Sequence, residues 1–112
     1  MELKLTPRFL QNGQRFFGPG VAELLERVRE HRSLRAAAAS MEMAYSKAWR
    51  IIHEAEEGFG FRLLDSTIGG RHGGGASLTP EALRLLTAYD TFCAELHDAA
   101  DELFRQKFSE FM

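Results

Sequence analysis

The sequence predicts a mainly helical α+β domain with small β-hairpins and one very long carboxy-terminal helix. Three observations carry that prediction. Asn12-Gly13 stands between two short apolar runs, a strong hairpin signal because both residues tolerate positive φ. Apolar residues then recur at helical spacing in three successive stretches between residues 20 and 57. From Thr79-Pro80-Glu81 onward they keep that spacing through 111 with no helix breaker.

Leu3, Leu5 and Phe9 before the Asn-Gly pair, and Phe16-Phe17 after it, give strands at about 3–10 and 14–17. Val21, Leu24, Leu25 and Val28 form one apolar stripe of a helix over about 20–31. Ser33 is a good N-cap for a short helix from 34 to about 40, whose four successive alanines allow a neighbouring backbone to approach closely. A turn at about 41–43 leads to a third helix over about 44–57, ended by Gly58 and Gly60. On it Ala48, Ile51, Ile52 and Ala55 share one side, while Tyr45, Ser46, Lys47, Arg50, His53 and Glu54 lie largely on the other. Phe61 to Leu64 reads as a strand, 69–75 as a Gly-rich loop and 76–78 as a short return strand. Thr79 as cap, Pro80 in the first turn and Glu81 at the positive dipole end then start a helix of about 30 residues, roughly 45 Å long.

The composition narrows the function. A chain of 112 residues, 45% apolar and 27% charged, is one folded domain with a real core. Multi-step enzymes and self-contained sensors with a second domain do not fit this length. No apolar run approaches the roughly 20 residues of a membrane helix, and no secretory leader pattern opens the chain. A single cysteine, Cys93, allows no intramolecular disulfide, so a cytoplasmic location is expected. The net charge of −2 hides an asymmetry: residues 1–80 carry 11 basic against 9 acidic side chains, residues 81–112 carry 3 against 7. The first part can therefore supply the local basic density that phosphate binding needs.

A short helix, a tight turn and a second helix form a helix-turn-helix, and two strands with a loop after it form a wing. The stretch Ser33-Leu34-Arg35-Ala36-Ala37-Ala38 with Met43-Ala44-Tyr45-Ser46-Lys47-Ala48-Trp49 resembles the LysR-type winged helix. More narrowly, with the run Gly69-Gly70-Arg71-His72-Gly73-Gly74-Gly75 through Pro80, it is similar to the DNA-binding domain of ModE-type molybdate-responsive regulators. The likeness spans about 3–92. It departs at Glu42, where that family usually has Gly, at Ala44, where it has Ser, at His72, where glycine is common, and at Asp65-Ser66, where a basic residue often stands.

The resemblance implies a dimeric transcription regulator, with a winged helix-turn-helix DNA-binding domain at 1–80 (helix-turn-helix about 33–57, wing about 61–78) and a dimerisation helix at 79–112. Ser33, Arg35, Tyr45, Ser46, Lys47, Arg50, Arg71 and His72 are the expected contacts to double-stranded DNA. Trp49, beside Ala48 and Ile52, is expected to anchor the core, so that Trp49→Ala would cost about 3–5 kcal/mol of stability. Leu83, Leu86, Tyr89, Phe92, Leu96, Leu103 and Phe104 exceed what one small domain can cover and are expected to pair two copies.

Other classes fit less well. The Gly-rich run lacks the Gly-Lys-Ser/Thr ending of a P-loop and precedes a strand rather than a helix. Cys93 and His97 stand at i, i+4, but two ligands do not make a metal site, and Cys93 reads as a buried thiol. No enzyme, cofactor or metal is expected. The alternative is a winged-helix interaction module that binds a partner through its long helix and DNA only weakly. A chain ending at Met112 has no residues for β-domains that enclose an oxyanion, so it is expected not to sense molybdate by itself, and control would come from its concentration or a separate sensor protein.

Overall fold

A computed structural model describes residues 1–67 and 75–112. The elements run β1 (Phe9–Gln11), β2 (Gln14–Phe17), α1 (Pro19–His31), α2 (Leu34–Ser40), α3 (Tyr45–Phe59), β3 (Leu64–Thr67), β4 (Gly75–Leu78) and α4 (Pro80–Phe108), with a single 3₁₀ turn, Ser109–Phe111, after it. β1–β2 and β3–β4 are separate antiparallel hairpins. The fold is a winged helix-turn-helix with a long carboxy-terminal helix, as the sequence predicts.

Local chemistry sets most boundaries. Asn12 and Gly13 adopt φ of 52° and 78° in the first hairpin turn. Ser33 Oγ accepts the Ala36 N–H and starts α2. Thr79 Oγ1 accepts the Ala82 N–H and starts α4, with Glu81 in its first turn. Gly60, at φ 80°, closes α3 through its N–H to the Glu56 carbonyl. Gly58, expected to help end that helix, lies inside it instead.

Two strands begin later than their apolar patterns suggest. β1 covers only the end of the expected 3–10 stretch, because Phe9 already pairs with Phe17 at the far end of β2. Upstream, Pro7 has no N–H to offer, and its carbonyl accepts the Tyr89 phenol at 2.7 Å. β3 starts at Leu64 rather than Phe61 because the preceding backbone is already engaged. The Leu63 N–H donates to Glu56 Oε2, the Leu63 carbonyl accepts from the Thr79 N–H, and the Arg62 carbonyl accepts from Thr79 Oγ1. These bonds clamp the root of the second hairpin between α3 and α4, and the Ala76 N–H to the Arg32 carbonyl ties it to α1.

The core lies where α1, α2, α3 and the start of α4 meet, around Leu24, Leu25, Val28, Ala37, Ala38, Ala48, Ile52, Ala55, Leu63 and Ala82. Phe9, Phe17, Phe59 and Tyr89 extend it as an aromatic cluster that seats the first hairpin on α4. Two residues expected at the dimer face belong to this core. Leu86 and Tyr89 are only 3% and 6% exposed, because the first three turns of α4 pack into their own domain. Cys93 is half-buried against the same cluster.

Past Cys93, α4 extends beyond the helical core with residues 1–3 lining a cleft beside its His97, Asp101 and Phe104, and the molecule measures 62 × 28 × 23 Å. Phe92 and Leu103 are 49% and 55% exposed, Phe108 and Phe111 are exposed too, and Leu96 and Phe104 are half-buried. No helix among the described residues is long and apolar enough to cross a membrane.

Candidate nucleic-acid interface

The turn between α2 and α3 sets the direction of the second helix. The Met43 N–H bonds to the Ala38 carbonyl at 2.9 Å and the Glu42 N–H to the Ala39 carbonyl at 3.0 Å, the paired bonds of a Schellman ending. Glu42 takes the left-handed position of that motif, at φ 54°. Ala44 then caps α3 with no side-chain acceptor for the free N–H groups. The departures from the resembled family at these two positions thus fall where the geometry favours Gly and Ser.

α3 buries Ala48, Ile52 and Ala55 and turns Tyr45, Ser46, Lys47, Arg50 and His53 outward. Among the described residues neither Lys47 nor Arg50 has a carboxylate within ion-pair distance. Arg27, Arg29 and Arg84, elsewhere on the surface, each pair with a glutamate one turn away. Arg35 holds its guanidinium 4.2 Å from the centre of the Tyr45 ring, joining the start of α2 to the start of α3 and leaving the charge at the surface. Ser33 Oγ, at the start of α2, accepts the Ala36 N–H.

A groove of about 650 Å³ runs between the start of α2, the outward side of α3 and the second hairpin. Arg35, Tyr45, Trp49, His53, Arg62 and Ser66 line it. Trp49 corrects the sequence expectation. It is 48% exposed, with its ring stacked on His53 at 3.6 Å between centroids and 20° between planes. Position 49 shares a helix face with 45 and 53, one turn away on either side, and Ala48 and Ile52 face the core without it. That i, i+4 series, Tyr45-Trp49-His53, was the available signal. Arg62 joins the groove through the chain reversal after Gly60 and has no comparable local signal. Arg71 and His72 lie outside the described residues, as does most of the Gly-rich run.

The sequence pattern of the bacterial regulatory helix-turn-helix proteins, lysR family, matches residues 21–83, from α1 through the start of α4. The chain belongs to that family. This lysR-type chain is therefore a DNA-binding domain of the kind found in transcription regulators. It is 34% identical over 88 residues to the molybdenum transport protein ModE of Herbaspirillum seropedicae, covering 79% of this chain and 30% of that protein. It is 33% identical over 75 residues to the transcriptional regulator ModE of Haemophilus influenzae, covering 67% of this chain and 29% of the relative. The lysR-type domain is thus ModE-like, and the chain spans about three tenths of the length of these curated relatives.

Proposed function

We propose that this lysR-type chain binds a two-fold operator in double-stranded DNA as a homodimer and regulates transcription, in the cytoplasm and in the context of molybdenum metabolism that its relatives' names indicate. The observation that carries the reading is the placement of Lys47 and Arg50 on the outward side of α3, the second helix of the helix-turn-helix, where no described carboxylate lies within ion-pair distance of either. A second helix of a helix-turn-helix enters the major groove with its first turns near the bases. There Tyr45, Ser46, Lys47 and Arg50 meet base edges, Ser33 and Arg35 meet phosphate, and the 61–78 hairpin carrying Arg71 and His72 follows the adjacent backbone or minor groove. Residues 1–80 do the reading, and 79–112 pair the copies through Leu83, Phe92, Leu96, Leu103 and Phe104. A separate sensor protein that docks on the acidic 81–112 stretch would supply control.

Duplex selected from a random library tests this in a gel shift titrated against salt. The observed association constant should fall steeply, with a log–log slope of about −0.9 per phosphate neutralised. Sedimentation at micromolar concentration should give a dimer. The exposed Phe92, Leu103 and Phe108 also favour a second reading, an interaction module whose long helix binds a different protein. A monomer in sedimentation with no salt-dependent DNA binding would select it.

A further inference from the structure

We propose that Trp49, backed by the His53 imidazole, forms an aromatic plate whose indole touches the 5-methyl group of a thymine and so selects thymine at one position of each half-site. The inference rests on the DNA-binding reading above. Trp49 keeps its indole half exposed in a groove that carries cationic side chains. Arg50 follows it in sequence, and Arg35 and Arg62 line the same groove together with Glu56, whose carboxylate accepts the Leu63 N–H. Such flanking charge suits a polyanion, whereas the indole face itself offers no charge and suits an apolar group. In the major groove only thymine presents one, its 5-methyl. Trp49 stands one turn beyond Tyr45, within the first two turns of α3, where a recognition helix meets base edges.

The plate is built before DNA arrives. The imidazole of His53 covers one face of the indole at 3.6 Å, and its Nδ1 donates to the Trp49 carbonyl at 2.9 Å. That bond orients the imidazole. Two side chains restrained by each other lose little rotamer freedom on binding, which favours using them for discrimination.

The test replaces thymines one at a time by deoxyuridine in the tightest duplex recovered from a random library, with affinity read by fluorescence anisotropy at one salt concentration. Removing the methyl that meets the plate should weaken the wild-type chain about fourfold, the effect of one buried carbon. Trp49→Ala should bind the thymine and uracil versions of that position equally and keep its response at other positions. Its melting temperature should stay within a few degrees of wild type, since the ring is not in the core. A methyl response unchanged by Trp49→Ala, or a loss equal for every duplex including unselected DNA, would overturn the proposal and make the plate a backbone contact. If no duplex is bound with salt dependence, the DNA-binding reading fails first, and this one with it.

Discussion

Gly58 lies so close under the ring of Phe16 that a β-carbon added to it would stand 2.1 Å from Cδ2 and 2.4 Å from Cγ. The missing side chain lets the first hairpin close onto the last turn of α3. Phe16 and Phe59 then meet edge to face, with ring centres 5.0 Å apart. Gly58→Ala should therefore destabilise the domain by about 1–3 kcal/mol through overpacking, even though alanine is the better helix former by about 1 kcal/mol. Thermal melts of Gly58→Ala, Phe16→Ala and the double variant check it. The double variant should lose less than the sum of the two singles, because Phe16→Ala removes the ring that the new methyl strikes.

The helix-turn-helix carries two correctable flaws. Glu42 occupies a left-handed conformation that costs an L-residue about 1–2 kcal/mol, partly offset by glycine's greater freedom in the unfolded chain. Glu42→Gly should stabilise by about 0.5–1 kcal/mol. Ala44→Ser should add about 1 kcal/mol by supplying the missing N-cap acceptor of α3. Chemical denaturation of each single variant measures both, and a loss in either would contradict the turn geometry.

Tyr89 predicts an alkaline transition. Burial first, and then the Cys93 thiol beside it, push its phenol from 10.0 up to about 12. A group whose pKa is raised on folding stabilises the fold fully below its unfolded pKa and loses that contribution as pH rises through the folded value. Unfolding free energy should thus decline between about pH 10 and 12. Tyr89→Phe should flatten that decline, while costing about 1 kcal/mol at neutral pH for the bond to Pro7. Denaturant titrations across that range, on both proteins, would show it.

Two arginines should separate base reading from backbone binding. Arg50→Ala is expected to cost about 1–3 kcal/mol on the selected duplex and little on unselected DNA, as a guanine contact would. Arg71→Ala, in the Gly-rich run, should weaken all duplexes alike and lower the salt slope by about one. Binding to the selected duplex unchanged in both variants would remove the proposed surface.

What was legible in the sequence was local. Asn12-Gly13, Ser33 and Thr79 name their turn and caps because each acts through its own backbone or its immediate neighbours. The helical periods of α1, α3 and α4 likewise identify an apolar stripe. A period does not say what covers the stripe. Leu86 and Tyr89 follow the same rhythm in α4 as Phe92 and Leu103, yet the first two are core and the last two face solvent. The difference is set by where the aromatic residues of the first hairpin land, about eighty positions away in the chain.

The same limit explains the groove. Ala48 and Ile52 mark the buried side of α3, but Trp49 sits between them in number and a turn from Tyr45 in space. Its place beside Ala48 and Ile52 assigned it to the core, and only the packed arrangement turned it toward the groove. Gly58 shows the converse: locally it reads as a helix terminator, yet it lies inside α3, and its use as a seat for Phe16 depends on a residue distant in the chain. By itself the sequence determined the order of elements, the winged helix-turn-helix and its outward cations, Lys47 and Arg50, because these follow from short-range backbone chemistry and spacing. Tertiary structure alone decided which apolar residues are core and which are surface, because burial depends on elements distant in the chain meeting.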